Sequence, residues 1–262
     1  MSLPVYEAVG FQKILDKGGH SKPWLVLVDM EGSPRPYVVK LYKTNDIEAR
    51  NKMTAEVLGN VLAPEFGLNV PDAAIINFGD DFRMHLNAEC EELLLELDDR
   101  PKFGTEFIEG ANLYNVGFTR KETQDIISPS TLYAYDYFIC NRDRNLHKPN
   151  LLIKQEQSYL IDHEMALEID ENTFRNFELE QWDTRYQHHL FHHFITKYRE
   201  KSNLFDEFLF YLQNFNFKKF ESYFSQLEGF GFSTDKENIL SYWESVQKKS
   251  SIFANILLSS IQ

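Results

Sequence analysis

The chain has 262 residues, of which 43% are hydrophobic, and its formal net charge is −13 at pH 7. A chain of this length and composition can bury a large core and form one or two domains. The acidic charge argues against nucleic acid or an anionic membrane as the main partner, because both require a basic face. It is compatible with a basic protein substrate.

The cysteine content and the hydrophobicity pattern indicate a cytoplasmic setting. Cys90 and Cys140 are the only cysteines, so a disulfide framework is not expected. No apolar run approaches the roughly 20 residues that a membrane span needs. Residues 1–20 lack the apolar core of a signal peptide. We therefore expect a protein of the reducing cytoplasm.

A glycine-rich turn and two strands are predicted near the N-terminus. Gly18, Gly19 and Ser21 precede an apolar run at residues 24–29, and a second run follows at residues 37–42. A glycine pair and a serine before a strand can bring backbone N–H groups close to phosphate. Because neither a G-x-G-x-x-G nor a Walker pattern is present, the local sequence alone favours an ordinary turn.

Charged residues interrupt the second strand and the helix predicted after it. Lys40 lies inside the apolar run at residues 37–42, where a lysine usually marks an exposed position. Apolar residues at helical spacing predict one helix over residues 46–62, and Glu56 lies in this helix. Taken alone, both side chains fit a solvated surface.

The middle of the chain continues with a strand and three helices. A strand is predicted at residues 73–78, and the acidic, leucine-rich stretch at residues 86–97 predicts a helix with a solvated charged face. Two further helices are predicted at residues 121–127 and 130–140. Pro129 separates them, because proline is unfavourable inside a helix. The last of these helices leads into a polar loop.

The polar loop and the two strands after it carry the residues with the clearest chemistry. Asp143 begins the loop, Asn150 ends it, and Asp162 follows the second strand. The strands, at residues 151–153 and 159–161, are so close in sequence that they most simply form an antiparallel hairpin. Opposed strands lie about 5 Å apart, so the hairpin places Asn150 and Asp162 together at its open end.

These three side chains fit the chemistry of phosphoryl transfer. An amide oxygen and a carboxylate at one point suit a hard cation such as Mg²⁺, which takes oxygen ligands and leaves positions for phosphate. Asp143, in the same loop, can face a hydroxyl nucleophile. A base or orienting carboxylate with two metal ligands is the arrangement that phosphoryl transfer requires. Polar residues are common beside strands, but three in this order favour the functional interpretation.

The chain after residue 167 has a helical pattern that is rich in phenylalanine. Helices are predicted near residues 184–200, 203–214, 216–227 and 235–259, and their aromatic stripes indicate a packed core. The first of them contains two histidine pairs at i, i+4 spacing, formed by His188, His189, His192 and His193. This spacing can bind a transition metal, but without a third ligand we expect packing and surface roles.

Three segments resemble the catalytic region of the HipA-like kinases, which belong to the protein-kinase and phosphatidylinositol-kinase-like superfamily. The segments are residues 141–144 (Asn-Arg-Asp-Arg), 149–152 (Pro-Asn-Leu-Leu) and 160–163 (Leu-Ile-Asp-His). The Val-Val-Lys that ends at Lys40 is also similar to this family.

The resemblance implies roles for the residues around the hairpin. It implies Asp143 as the catalytic aspartate, with Asn150 and Asp162 as ligands of Mg²⁺. Asn150 lies seven positions after Asp143, whereas this spacing is about five in protein kinases. Asn145 therefore stays open as an alternative ligand.

Basic side chains are expected to bind the phosphates of ATP and to neutralise charge. With the catalytic segment in place, Lys40 is interpreted as the lysine that contacts nucleotide phosphates. Glu56 is its expected partner, and Glu48 is the alternative. Arg144 or Lys148 is expected to neutralise the negative charge that develops on the transferred phosphoryl group.

The expected position of adenine follows from the order of the elements. In a kinase-like chain the linker between lobes falls here at residues 103–110, so adenine is expected at backbone groups of Glu106, Phe107 and Ile108. The glycine-rich turn then becomes the turn that binds nucleotide, and Ser21 is a candidate for self-phosphorylation.

The expected fold is α+β and bilobal, like that of protein kinases. A small sheet lobe with one helix is expected over residues 1–105, and a mostly helical lobe over residues 106–262. The expected function is an ATP- and Mg²⁺-dependent kinase that phosphorylates a Ser or Thr hydroxyl of a protein. The resemblance also suggests a regulatory setting with a partner protein.

Two alternatives for the function stay open. Residues 162–164 (Asp-His-Glu) also resemble the pattern of aminoglycoside-phosphotransferase-like kinases, which suggests a small-molecule hydroxyl acceptor. A non-catalytic protein of the same fold would bind nucleotide, or a partner, without transferring phosphate.

Overall fold

The computed structural model describes residues 1–15 and 22–262. The predicted phosphate-binding residues Gly18, Gly19 and Ser21 lie outside the described residues. Two compact units are present, and each is assembled from several stretches of the chain. The first unit comprises Met1–Val57, Pro71–Glu109 and Phe220–Thr234, and the second comprises Leu58–Val70, Gly110–Lys219 and Asp235–Gln262.

The chain is α+β, as expected, with a β-rich N-terminal region and a mostly helical C-terminal part. The strands are β1 (Val5–Ile14), β2 (Trp24–Met30), β3 (Ser33–Val39), β4 (Ala73–Asn77), β5 (Lys102–Glu106), β6 (Asn112–Leu113), β7 (Leu151–Lys154) and β8 (Gln157–Leu160). The helices are α1 (Thr44–Arg50), α2 (Lys52–Leu62), α3 (Asp80–Met84), α4 (Ala88–Leu95), α5 (Arg120–Ile126), α6 (Pro129–Phe138), α7 (Glu171–Glu178), α8 (His192–Ile195), α9 (Asp206–Asn214), α10 (Glu221–Gly229), α11 (Lys236–Lys248) and α12 (Ser250–Ser260). Within the described ranges, no helix is both long and apolar enough to cross a membrane. The division of the chain at residues 105 and 106 stays a prediction.

The first unit is built on a closed barrel with the strand order β1-β2-β3-β5-β4. Neighbouring strands are antiparallel, except that β1 and β4 run parallel. Trp24, Val26 and Val28 of β2 are buried together with Tyr37 and Val39 of β3. Alternate residues of a strand point to the same face, so these side chains fill the interior. Closure also removes the unpaired edges that an open sheet exposes.

The single helix predicted over residues 46–62 is two helices in the structure. Asn51 ends α1 in the left-handed conformation, with φ 48° and ψ 39°, and α2 begins at the next residue. Asparagine adopts this conformation more readily than most residues, so the helix ends there although the apolar spacing continues. The expectation of one helix in the N-terminal region is not confirmed, because α3 and α4 also lie there.

A late segment of the chain, Phe220–Thr234, belongs to the first unit. The Leu3 N–H donates to Gln226 Oε1 at 2.9 Å, and Gln226 Nε2 donates to the Leu3 carbonyl at 2.8 Å. Arg100 Nη1 donates to the Gly231 carbonyl at 2.6 Å. The beginning of the chain, the segment before β5 and this late segment are therefore joined within one unit.

The second unit is organised around α6, which is buried along almost its entire length. A helix that is buried on nearly all sides is expected at the centre of a core. Phe66 stacks on Phe208 with ring centroids 4.9 Å apart, and it also contacts Tyr135 and Phe138 of α6. The aromatic core that the phenylalanine content predicts is therefore present.

Strands β7 and β8 form the predicted antiparallel hairpin in the second unit. Leu151 pairs with Leu160, and Lys154 pairs with Gln157 next to the turn. The turn includes Gln155 in the left-handed conformation, at φ 55°. Strand β6 pairs with β7 and completes a three-stranded sheet. The open end of the hairpin is thereby fixed in position.

Three of the helices predicted in the C-terminal part are wrong in extent. The one predicted over residues 216–227 is a 3₁₀ turn, Phe217–Phe220, followed by α10. Between residues 184 and 200 the structure forms only a 3₁₀ turn, Thr184–His188, and the short helix α8. The helix predicted over residues 235–259 is α11 and α12, which are separated at Lys249. The apolar spacing continues across this second break, so periodicity alone does not reveal it.

We predict that Phe66→Ala lowers the free energy of unfolding by about 3–5 kcal/mol, because it leaves a cavity among buried aromatic rings. Phe210→Ala is the matched control, since Phe210 is 64% exposed. It should change stability by no more than about 0.5 kcal/mol. Urea unfolding followed by tryptophan fluorescence measures both variants. Equal losses in the two variants would contradict the central position of Phe66.

Candidate active site

Asn150 and Asp162 lie at the open end of the hairpin, as the sequence predicts. Asn150 directly precedes β7, and Asp162 follows β8 after one residue. The Ile161 N–H donates to the Asn150 carbonyl at 3.1 Å, so the pairing continues past the two strands. Both Asn150 and Asp162 adopt the left-handed conformation, with φ of 45° and 61°. Such conformations are uncommon outside glycine and cluster at functional sites.

Asp143 lies in the loop between α6 and β7 and is partly buried. Burial raises the pKa of the Asp143 carboxyl above its ordinary value, and Lys148 opposes this rise. The negative charges of Asp162 and Glu164 raise the pKa of Asp143 further. Three carboxyl groups of the second unit therefore lie within electrostatic reach of one another. Such a concentration of negative charge is unfavourable unless cations or protons compensate it.

The loop residues beside Asp143 differ in how freely they can move. Lys148 Nζ lies 3.3 Å from Asp143 Oδ2, and the Lys148 side chain is 48% exposed. The Asn145 amide, in contrast, is fixed: Nδ2 donates to the Asp143 carbonyl, and Oδ1 accepts from the N–H groups of His147 and Lys148 at 2.9 and 3.0 Å. Because Asn145 Oδ1 already accepts two bonds, the structure favours Asn150 over Asn145 as a metal ligand.

Arg144 is buried and does not fit the role predicted for it. Its Nε donates to Asp136 Oδ2 at 2.7 Å. Its Nη1 donates to the Asn150 carbonyl and lies 3.5 Å from the Ile161 carbonyl. The guanidinium is thus engaged inside the protein, so it is not placed to neutralise charge on a phosphoryl group. Instead it joins the two backbone ends of the hairpin.

Asp136 is a site residue that sequence reasoning missed. It is fully buried in α6, and its carboxylate accepts bonds from Arg144, from Asn141 Nδ2 at 2.9 Å and from His189 Nε2 at 2.9 Å. Burial alone raises the pKa of Asp136, but Arg144 and His189 outweigh burial and lower the pKa to about 2. The carboxylate is therefore ionised at neutral pH. The available signal was that Asp136 is the one charged residue in the sequence of α6.

His189 is held in a defined tautomer beside Asp136. The Phe191 N–H donates to His189 Nδ1 at 3.1 Å, so the ring proton lies on Nε2 and is donated to Asp136. Burial lowers the pKa of His189, and the bond to Asp136 opposes this shift. The Leu190 N–H donates to the Arg144 carbonyl at 2.9 Å. The segment around His189 therefore contacts both Asp136, which pairs with the Arg144 side chain, and the main chain at Arg144.

The four histidines near residue 190 are not arranged as a metal site. His189 bonds Asp136, and His192 Nε2 lies 2.9 Å from the Ser260 carbonyl. His188 and His193 are exposed. The spacing of i, i+4 places side chains on one face only in a continuous helix, and no such helix forms in this stretch, which the structure describes in full. The expected packing and surface roles agree with these positions.

Gly59 of α2 and His163 make a close contact within the second unit. A Cβ at Gly59 would lie 2.5 Å from His163 Cβ, closer than real Cβ contacts allow. The Tyr135 hydroxyl donates to the Gly59 carbonyl at 2.6 Å. His163 directly follows Asp162, so the absence of a side chain at Gly59 helps to determine where the Asp162 segment lies.

The first unit contains the predicted ion pair between Lys40 and Glu56. Lys40 directly follows β3, and Glu56 is buried in α2. Glu56 also accepts a bond from the Tyr42 hydroxyl at 2.9 Å. The alternative partner Glu48 pairs instead with Arg100 at 2.7 Å. The contact of Lys40 with nucleotide phosphates stays a prediction.

The predicted adenine segment is only partly available for ligand bonds. The Glu106 N–H donates to the Asp72 carbonyl at 2.8 Å, and the Phe107 N–H donates to the Pro36 carbonyl at 2.9 Å. Both N–H groups therefore hold the first unit together. Of the predicted adenine contacts, the carbonyl groups of this segment and the backbone of Ile108 remain as proposals.

The side chains of the second unit fit a divalent cation. Asn150 Nδ2 is buried and makes no hydrogen bond with the residues that the structure describes. The nitrogen and oxygen of an amide are interchanged by a flip, so the same position can present the oxygen. With the Asp162 carboxylate, this oxygen gives the ligand type that Mg²⁺ prefers. A cation there would also compensate the charges of Asp143 and Glu164.

Comparison with known proteins identifies the class. The sequence model described as HipA-like kinase matches residues 15–214. The chain is therefore a kinase by class. In particular, it belongs to the HipA-like kinase family. A search of curated proteins finds no match. Among solved structures, the crystal structure of the Helicobacter pylori proinflammatory kinase CtkA is similar, with 12% sequence identity, 98% of this chain and 93% of that chain covered, and a TM-score of 0.43.

We predict that Gly59→Ala destabilises the protein by about 1–3 kcal/mol, because the added methyl group meets His163 near its backbone. Without this contact, alanine would stabilise a helix by roughly 1 kcal/mol relative to glycine. Gly229→Ala in α10 is the matched control, since its Cβ would have open space. Urea unfolding should show stability lost in the first variant and kept or raised in the second. A stabilised Gly59→Ala protein would contradict the close contact.

Proposed function

We propose that the chain is an ATP- and Mg²⁺-dependent protein kinase that transfers the γ-phosphoryl group of ATP to a Ser or Thr hydroxyl. One observation carries the proposal: the open end of the β7–β8 hairpin brings together Asn150, Asp162 and the partly buried Asp143. Membership of the HipA-like kinase family supports the same chemistry.

In this proposal the residues of the second unit have separate roles. Asn150 and Asp162 hold Mg²⁺, which when bound neutralises charge on the phosphate oxygens. Asp143 orients the acceptor hydroxyl and accepts its proton. The hydroxyl oxygen forms the new bond to the γ-phosphorus, the bond from that phosphorus to the bridging oxygen breaks, and ADP leaves. The raised pKa of Asp143 supports this role, because a base is more effective when its pKa is nearer the working pH.

Two lysines supply positive charge in the proposal. Lys148 is exposed enough to leave Asp143 and to approach the transferred phosphoryl group. Lys148 therefore neutralises the developing negative charge, because Arg144 is buried in its pair with Asp136. In the first unit, the ion pair with Glu56 holds Lys40 for contact with nucleotide phosphates.

A protein is the proposed acceptor because the chain is strongly acidic, with a net charge of −13. Opposite charge speeds the encounter of a basic segment with an acidic surface. The small-molecule alternative rests on Asp162, His163 and Glu164, which resemble the Asp-x-Glu pattern of aminoglycoside-phosphotransferase-like kinases. A non-catalytic role remains the third outcome that experiment can distinguish.

The first test is intact mass spectrometry after incubation with Mg²⁺ and ATP. We expect the wild type to gain the mass of a phosphoryl group or to transfer one to a basic Ser/Thr peptide. Asp143→Asn should lower the rate by about 10²–10⁴-fold, because the base is lost, and Asp162→Asn should lower it through weaker Mg²⁺ binding. Asp206→Asn, an exposed aspartate at the start of α9, is the control and should match the wild type.

The outcomes of this test separate the three functions. Transfer to a peptide or to the chain itself supports a protein kinase. ATP turnover that requires an added small alcohol would favour the small-molecule alternative. A wild type that is stabilised against heat by Mg²⁺ and ATP, but transfers nothing to any acceptor, would be a nucleotide-binding protein. Full activity in Asp143→Asn would overturn the proposed mechanism.

A second prediction concerns Lys40 in the first unit. Lys40→Met should lower kcat/KM for ATP by about 10- to 100-fold, because a charge-assisted bond to phosphate is lost. Lys43→Met is the matched control, since Lys43 is exposed and pairs with Glu96 at the surface. Steady-state kinetics with varied ATP measures both. Equal kcat/KM values in the two variants would remove Lys40 from the proposed nucleotide site.

A further inference from the structure

A chain of buried polar contacts leads from His189 to both proposed metal ligands. His189 Nε2 donates to Asp136, and Asp136 pairs with Arg144 at 2.7 Å. Arg144 donates to the Asn150 carbonyl and lies 3.5 Å from the Ile161 carbonyl. We infer that Asp136 and His189 are positioning residues that set the affinity of the Asn150–Asp162 site for Mg²⁺. This inference rests on the proposed function of that site.

The contacts act on the backbone beside each ligand. The Ile161 carbonyl belongs to the peptide group that joins Ile161 to Asp162, so its orientation is coupled to φ of Asp162. The Asn150 carbonyl is likewise coupled to ψ of Asn150. Both ligand residues hold left-handed conformations, which are less favourable for a residue with a side chain than for glycine. Arg144 therefore restrains the two peptide groups on which the strained conformations depend.

Stability alone does not account for such a network. Removing a carboxylate and a guanidinium from water has a large free-energy cost. A protein in which apolar residues replace a buried ion pair is therefore often as stable as the original, or more stable. Asp136 lies in a helix whose other buried residues are mostly apolar or aromatic. A network of this kind has fixed bond directions, which apolar packing lacks. Asp136 and its hydrogen bonds therefore act by positioning Arg144 rather than by stabilising the core.

His189 orients the carboxylate that holds Arg144. His189 Nε2 and Arg144 Nε donate to Oδ2 of Asp136, whereas Oδ1 accepts from Asn141 Nδ2 and, at 3.4 Å, from Arg144 Nη2. Loss of the His189 donor removes one of the two short bonds to Oδ2, which weakens the restraint on the carboxylate and, through it, on Arg144. Residues that orient metal ligands from behind typically change metal affinity by about 10- to 100-fold when they are replaced.

The experiment compares three variants of two histidines in one segment. His189→Phe keeps the aromatic packing on Tyr133, whose ring centroid is 5.0 Å away, but removes the donor. His189→Gln keeps an N–H donor. His192→Phe is the matched control, because it loses a bond to the Ser260 carbonyl outside the network.

Two quantities are measured for each protein, namely the melting temperature without ligand and the Mg²⁺ concentration that gives half of the stabilisation by ADP. We expect His189→Phe to raise this Mg²⁺ midpoint about tenfold. His189→Gln should stay within about threefold of the wild type, and His192→Phe should lower the melting temperature without moving the midpoint. If His189→Phe does not fold, His189→Leu removes the same donor with a smaller side chain.

The results separate the inference from the proposed function. An unchanged Mg²⁺ midpoint in His189→Phe, with a loss of melting temperature like that of His192→Phe, would overturn the positioning role and leave the kinase proposal intact. A wild type that ADP does not stabilise at any Mg²⁺ concentration would overturn both.

Discussion

The buried ion pair between Asp136 and Arg144 is the interaction on which the loop over residues 141–150 depends. It crosses from the central helix of the second unit to the residue directly after Asp143. In a medium of low dielectric constant, a charged pair is strong when its partners are satisfied and costly when one is missing. Here both partners are satisfied, since the carboxylate accepts from Asn141 and His189 and the guanidinium donates to backbone carbonyls. The loop therefore has one well-defined arrangement.

Helix α6 supports the site through two consecutive residues. Asp136 holds Arg144, while the hydroxyl of Tyr135 donates to the Gly59 carbonyl in α2. Gly59 in turn leaves space for His163, the neighbour of Asp162. A helix that is buried on all sides can contact several elements at once, and its side chains have little freedom to move. The positions of the loop and of the Asp162 segment are thus set by the same rigid element.

A local pattern made the hairpin predictable from sequence, because it needed only two short apolar runs around a polar turn. The Lys40–Glu56 pair was predictable only after the hairpin had indicated a kinase-like chain, since both residues taken alone fit a solvated surface. The role of Arg144 was not predictable in this way. From sequence alone, an arginine next to a proposed catalytic aspartate fits a residue that binds phosphate as well as one that is buried in an ion pair. Its true surroundings depend on Asp136, which is eight positions away in the preceding helix, and on His189, which is far away in sequence.

Helix ends were predicted less well than the hairpin, for a related reason. Asn51 and Lys249 end helices in which the apolar spacing continues, so the breaks come from backbone conformation and packing rather than from periodicity. The histidine pairs show the same limit, since their spacing matters only in a helix that does not form. Asn150 and Asp162, in contrast, flank an element with strong local determinants, and the prediction of their proximity followed from the hairpin alone.

The place of Phe220–Thr234 in the first unit has a consequence for biosynthesis. Leu3 and Gln226 are bonded although 223 positions separate them, and most of the second unit is translated between them. The barrel strands therefore leave the ribosome long before the segment that completes their unit. The entropic cost of closing a loop grows only slowly with its length. The long separation is therefore expected to slow folding more than it lowers the final stability. Until residue 234 has been translated, Leu3 and Arg100 therefore lack their hydrogen-bond partners in this late segment.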